Sequence, residues 1–307
     1  MKKVIFAAFL LFILVACTAQ EGTERGLFGQ KQPTKETAYT GTKGVEISLE
    51  DPSMLKVTKG DSIFFDLRVE NLGWFATTVY LYVSGFDPAF VTYKSFKNQL
   101  TLNGKTGVSD AVIPGDWEIV SFESNPVSSP GLQFPQNTVI SACYLYQTQI
   151  TYATCVDENA DGKCTLAVTN NPLSSGQGAP VVIDSVTSTA TRKASNMVRL
   201  TYTIALSQKD LDNIAQIIRK EKVQDACTGK PLDQYRDYGV LNIDDARLGS
   251  KSLTCLPKDT INLQSQKSVT CYMDTTSGPD LASAFVFKVS YGVTKQITKP
   301  VTVMSTE

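Results

Sequence analysis

The seven residues Asp157-Glu158-Asn159-Ala160-Asp161-Gly162-Lys163 carry the sharpest chemical pattern in the chain. They match the first half of a D-x-[DN]-x-[DN]-G calcium loop, in which the side chains at positions 1, 3 and 5 converge on one ion. Asp157, Asn159 and Asp161 would supply those oxygens, Gly162 the sharp turn, and Lys163 the next carbonyl ligand. The second half departs from the pattern, because Val168 stands where an EF-hand places a bidentate glutamate. Asn, Asp and Gly are also the residues any tight hairpin turn uses. The segment therefore reads either as a plain turn or as a weak calcium site, toward the ~10⁻⁴–10⁻³ M end of such loops. No other cofactor is suggested.

The chain has no histidine. That excludes Ser-His-Asp and Cys-His nucleophile systems and histidine-ligated zinc or iron. Carboxylates could still do acid–base work, but the acids are scattered among turns and strand faces and no pair stands out. No catalytic residue is assigned, and the chain reads as a non-enzyme. Tyr144, Tyr146 and Tyr152 could line an aromatic binding face, or pack on a sheet as strand tyrosines commonly do. Charge points away from nucleic acid. Lys plus Arg number 29 against 30 acids, a net of −1, with no basic cluster interleaved with aromatics.

Seven cysteines are present. Setting Cys17 aside leaves Cys143, Cys155, Cys164, Cys227, Cys255 and Cys271, an even number without the C-x2-C spacing of a zinc site. Disulfides in an oxidising compartment are the expectation. A turn at Asp161-Gly162 would bring Cys155 and Cys164 together, Cys255–Cys271 is the next choice, and Cys143–Cys227 follows by elimination. Three of these cysteines lie before residues 170–180 and three after, so one free thiol on each side of that stretch is the competing arrangement.

The N-terminus gives an address. Lys2 and Lys3 precede an uncharged apolar run over 4–16, too short to span a bilayer and suited to a signal peptide. The run ends Leu14-Val15-Ala16-Cys17, which resembles the lipobox of secreted lipoproteins. The resemblance implies cleavage before Cys17, a diacylglyceryl group on its thiol, and a membrane-anchored protein facing the cell surface or a periplasm-like space. Cleavage after Ala19, with Cys17 discarded, is the alternative. Losing residues 1–16 removes two of the 29 basic residues and none of the 30 acids, so the net moves from −1 to −3. Residues 17–44 are rich in Gly, Thr, Gln, Lys and Glu, too poor in apolar surface to offset their ordering entropy, and read as a flexible tether.

From Val45 onward the chain alternates in period two. Ile63, Phe65, Leu67 and Val69 interleave with Phe64, Asp66, Arg68 and Glu70 and stop at Asn71-Leu72-Gly73; Val79, Leu81 and Val83 repeat the pattern. Pro126, Pro130 and Pro135 suggest an exposed loop before a long strand over 139–155. Residues 170–180 are dense in turn formers and mark the expected domain boundary. Strand patterns resume at Val181, at 198–204 and at 285–291. One helix is expected near 208–222, with Ser207 as N-cap, an apolar stripe of Leu211, Ile214 and Ile218, and basic residues in the last turn. The fold class is all-β: two tandem immunoglobulin-like β-sandwich domains, over 45–170 and 180–304, with one helix inserted in the second.

Three stretches together carry a further resemblance. They are 60–73 ending in Asn-Leu-Gly, Ala142-Cys143-Tyr144-Leu145-Tyr146 through Cys155-Val156-Asp157, and Gly176-Gln177-Gly178-Ala179-Pro180 into Val181-Val182-Ile183. In this order the chain resembles uncharacterised archaeal cell-surface proteins built from CARDB-like, immunoglobulin-type modules. The resemblance implies a fold and a surface location, and brings no activity or site residues. Two functions fit: a structural, adhesive or protein-binding surface lipoprotein whose partner is an unknown protein or surface polymer, or a ligand- or solute-binding lipoprotein. The second usually takes a larger α/β chain, and no βαβ pattern occurs.

Overall fold

The computed structural model describes residues 39–51, 55–108, 111–128, 131, 133–162, 164, 176–194, 196–209 and 215–305. These are built almost wholly of strands. The first eight are β1 (Val45–Leu49), β2 (Leu55–Thr58), β3 (Phe64–Asn71), β4 (Thr77–Ser84), β5 (Gln99–Leu102), β6 (Thr106–Val108), β7 (Ala111–Ile113) and β8 (Trp117–Glu123). Then come β9 (Gln133–Val156), β10 (Val181–Ala194), β11 (Met197–Gln208) and β12 (Ala215–Ile218). A 3-10 turn (Lys220–Lys222) leads into the short helix α1 (Val223–Cys227). The rest are β13 (Val240–Leu248), β14 (Lys251–Ser252), β15 (Thr254–Leu256), β16 (Thr260–Asn262), β17 (Ser268–Thr276) and β18 (Leu281–Met304).

Period-two alternation decides which face each strand buries. In β3, Phe65, Leu67, Val69 and Asn71 are buried, whereas Asp66, Arg68 and Glu70 look outward. Fully burying a side chain such as Leu67 or Phe122 contributes about 1.5–3 kcal/mol. Asn71 at the strand end is also buried. Its amide donates to the carbonyls of Phe75 at 2.8 Å and Leu102 at 3.3 Å, and its oxygen accepts from Gly73 N at 3.1 Å. A polar residue is tolerated there because every group it carries is paired.

Two long strands organise everything else. β9 and β18 pair antiparallel along their whole length, from Gln133 opposite Met304 to Val156 opposite Leu281. Around this pair grows the largest sheet, in the order β14-β13-β18-β9-β4-β5, with β2, β12 and β16 attached at its side. The sheet β1-β3-β8 covers the end of it near Tyr144, where Val45 N donates to the Tyr144 hydroxyl at 3.2 Å. The sheet β10-β11-β17-β15 covers the other end, where Tyr202 of β11 stacks on Phe285 of β18 at 4.8 Å between ring centroids. The result is two β-sandwiches that share one sheet, and residues 37–307 form one compact unit.

That sharing revises the expected limits of 45–170 and 180–304. The last part of β18 completes the first sandwich and the last part of β9 the second. Within the expected boundary, residues 176–180 are buried, and 170–175 lie outside the described residues. Small residues there let two layers close on each other. Gly178 has φ +66°, and a Cβ on it would collide with the Trp74 ring.

The helix expected near 208–222 is corrected. Among the described residues, Ser207 lies inside β11, Ile218 ends β12, and α-helix forms only at Val223–Cys227. Leu211 and Ile214 fall outside the described residues. Ile217 and Ile218 are buried because β12 pairs with β18, and that sheet pairing outweighs a helical spacing of only three apolar positions. The expected proline loop is corrected too, since Pro135 lies in β9 opposite Thr302. It is tolerated because β4 pairs with β9 only over 139–144, which leaves one flank of Pro135 without a strand to bond. Pro300 in β18 sits similarly, between the stretches paired with β12 and β2.

Candidate functional site

The 157–162 turn follows directly on β9. The Asp157 carboxylate accepts from Gly162 N at 2.8 Å and from Asp161 N at 3.2 Å, so it caps its own turn. Ala160 at φ +53° and Gly162 at φ +72° supply the left-handed backbone. The Asn159 carbonyl accepts from Arg192 Nη2 at 2.7 Å. Glu158 points away toward the Thr275 hydroxyl at 3.4 Å. Carboxylate oxygens of Asp157, Asp161 and Asp280 lie within 4.8 Å of one another, with Asp280 coming from the turn before β18. The sequence pattern names two of these three. Asp280 is 119 residues from Asp161 along the chain and carried no local signal. Lys163 and Val168 lie outside the described residues. The turn reading is thus realised by hydrogen bonds, and the carboxylate trio is compatible with an oxygen-seeking cation.

The tyrosines turn out to be internal. Tyr144, Tyr146 and Tyr291 are buried at the waist where the two sandwiches meet. The Tyr146 hydroxyl accepts from Phe75 N at 3.3 Å and donates toward Asn71 Oδ1 and the Gly178 carbonyl, each at 3.4 Å. Val181 N donates to the Tyr291 hydroxyl at 3.2 Å, and Thr148 Oγ1 donates to the Val181 carbonyl at 2.6 Å. Gln177 adds a two-way clasp on Ile183, accepting from its N–H at 2.7 Å and donating to its carbonyl at 3.3 Å. These bonds tie the start of β10 to β9 and β18. Desolvation raises all three tyrosines well above their ordinary 10.0, so they stay neutral donors and acceptors at any physiological pH. Tyr152, half-buried, packs on Phe285. The tyrosines form a core clamp, and an aromatic binding face is not what they make.

All six described cysteines are paired: Cys143–Cys227, Cys155–Cys164 and Cys255–Cys271. Cys255 and Cys271 face each other across β15 and β17, with Cα atoms 3.9 Å apart. Cys155–Cys164 closes the acidic turn. Cys143–Cys227 pins α1 onto β9 within a small apolar cluster with Ile218 and Val223. The free-thiol arrangement is not the one formed. These bridges mark a chain that matures in an oxidising, extracytoplasmic compartment. Cys17 lies outside the described residues.

Two charged side chains were not singled out by sequence reasoning. Lys295 is buried in β18 and pairs with Glu46 of β1. Lys299, also buried, donates to the Asp51 carbonyl. Both alternate with apolar neighbours in a strand pattern that gives no hint of inward charge.

No family model matches the chain, and no curated protein does. Among solved structures, the ASH/PapD-like domain of human CEP192 is similar at 14% identity over 38% of this chain and 81% of that one, with a TM-score of 0.16. Domains 4–9 of the surface layer protein SbsC are similar at 12% identity over 85% of this chain and 31% of that one, with a TM-score of 0.19. Likenesses at this level say nothing about activity.

Two open clefts also mark the surface. One of about 780 Å³ is lined by Leu49, Gln216, Lys230, Tyr238, Thr294 and Thr298. The other, of about 650 Å³, lies beside Leu206, Gln216, Tyr238 and Lys267. Among the described residues, neither cleft is lined by a carboxylate.

Proposed function

We propose that this is a cell-surface protein anchored through a lipid on Cys17, with a structural, adhesive or protein-interaction role and no catalysis. The observation that carries it is the fastening: three disulfides staple the strands, and a buried tyrosine clamp ties the two sandwiches at the sheet they share. A rigid, covalently fastened all-β scaffold suits load-bearing or display in an oxidising space, where proteolysis and unfolding stress select for staples. The archaeal CARDB-like kinship belongs to the same proposal and rests on its ordered motifs. So does calcium at Asp157 and Asp161, with Asp280 as the third carboxylate; Asn159 and Lys163 complete the set that the loop pattern implies.

Cys17→Ser and the parent are to be compared by membrane fractionation and by crosslinking on intact cells. The parent should sediment with membranes and crosslink to itself or to envelope proteins, while the variant is released. Equal membrane retention of the two would remove the lipid anchor from the reading. A ligand-binding role has one observation in its favour, the 780 Å³ cleft, which lies within the usual ~300–1,000 Å³ of small-molecule sites. A melting shift with a panel of sugars or peptides would promote that alternative.

A further inference from the structure

β10 is a 14-residue edge strand. It heads the order β10-β11-β17-β15, and no strand among the described residues pairs with its outer side. Past Ile183 it carries no buried residue: Ser185, Thr187, Ser188, Thr189 and Thr191 are exposed, and Val186 and Ala190 are half-buried. Soluble proteins usually blunt such an edge with proline, central charges, bulges or short length. Here there is no proline. The charges stand only at the ends, Asp184 at one and Arg192 with Lys193 at the other. The two bulges are also terminal, between Ile183 and Ser185 and between Arg192 and Ala194. The stretch 185–191 between them is regular.

We propose that this edge joins a second copy of the chain by antiparallel β10–β10 pairing about a two-fold axis at Ser188. The strand is self-complementary in that register. Asp184, the bulge residue just outside the regular stretch, comes level with the partner's Arg192, and by symmetry the ion pair forms twice. Val186 falls opposite the partner's Ala190 on the core-facing side, which β11 fixes by pairing Val186 with Ile204 and Ala190 with Leu200, both buried. Thr187 falls opposite the partner's Thr189 on the solvent side, a favourable cross-strand pair. Moving the axis by one residue either way sets Asp184 opposite an alanine and the partner's Arg192 opposite a valine. Charge thus selects one register. Within its own chain Asp184 has Lys209 at 3.5 Å and Arg192 holds the Asn159 carbonyl at 2.7 Å. Both side chains are exposed, so they can add the partner without unburying anything. The pairing would fuse two four-stranded sheets into one of eight.

This deepens the surface-structural reading by naming its partner as another copy of the chain, and it rests on that reading for its biological sense. The experiment uses purified full-length protein. Ser188→Cys should give a reducible covalent dimer on mild oxidation, in much higher yield than Thr187→Cys or Thr189→Cys, which lie off the axis. Thr187→Lys with Thr189→Lys places four like charges together at the seam and should weaken dimerisation in sedimentation by about tenfold or more. Asp184→Arg should weaken it too, and adding Arg192→Asp should restore it. A monomer at all concentrations, a dimer indifferent to the lysine pair, or preferential crosslinking at 187 or 189 would overturn the proposal. A protein that crosslinks to envelope components on cells yet fails these tests keeps the surface role and loses this interface.

Discussion

Removing the Cys143–Cys227 bridge should cost more than removing either of the others. Its cysteines are 84 residues apart, against 16 for Cys255–Cys271 and 9 for Cys155–Cys164. Loop-closure entropy in the unfolded chain then gives about 4.5, 3 and 2.5 kcal/mol at 25 °C. Cys155–Cys164 is nested within the longest loop and shortens it only slightly, a correction of about 0.1 kcal/mol. Cys143 and Cys227 are also buried, at 0% and 4% exposure, so trimming both to alanine adds about 1 kcal/mol of lost packing. Cys143→Ala with Cys227→Ala should therefore lower the melting temperature by on the order of 10 °C or more. Urea denaturation of the three double-alanine variants, each with the other bridges intact, measures the order. A smaller loss for Cys143/Cys227 than for Cys155/Cys164 would refute the loop argument. A protease site inserted at 170–175 gives an independent readout. After cutting, the two fragments should run together on a denaturing gel without reductant and separate when reduced. Fragments that separate without reductant would mean the bridge is not formed.

Four further outcomes follow from the same structure. Tyr144, Tyr146, Tyr202 and Tyr291 are buried and raised, Tyr202 to about 12, whereas the unfolded chain ionises near 10.0; stability should therefore be intact below pH 10 and fall above it, by up to about 1.4 kcal/mol per pH unit for each tyrosine. An alkaline melting series that stays flat to pH 11 would contradict the clamp. Asp274 is held down to about 2 from its ordinary 3.8, chiefly by its hydrogen bonds from Arg199, so its stabilising share is present above pH 4 and lost as pH falls toward 2; Asp274→Asn should flatten that part of the acid melting curve slightly. Glu46→Ala leaves buried Lys295 without that carboxylate and should cost about 2–3 kcal/mol by chemical denaturation, and Glu46→Leu with Lys295→Met should recover most of it. Millimolar calcium should raise the melting temperature, and Asp280→Asn should abolish the rise while sparing the Asp157 turn cap; an unchanged curve leaves 157–163 a turn.

Strand identity was written locally. Period-two patterns in 63–69, 79–83, 198–204 and 285–291 follow from burying one face of a sheet, and each lies in a strand with the expected residues buried, save that Ile63, also buried, just precedes β3. The disulfide map was also within reach, because a turn former between close cysteines leaves few partners for the rest. What the sequence could not settle is everything that depends on residues far apart along the chain. β9 and β18 make one continuous ladder only because their ends meet other sheets above and below, and neither segment's composition says which strand it will pair with. The turn-rich stretch at 176–180 looks like a linker by composition, yet it is buried, since small residues fit under Trp74 and the tyrosine hydroxyls. Ile214 and Ile218 have helical spacing, but the open side of β18 offered Ile218 a ladder with more burial than a lone helix could find. Asp280 joined the acidic turn, and Glu46 met Lys295, through contacts made across the fold. Local periodicity fixes which side of a strand is apolar; only the closed tertiary structure fixes what that side, and each strand edge, will face.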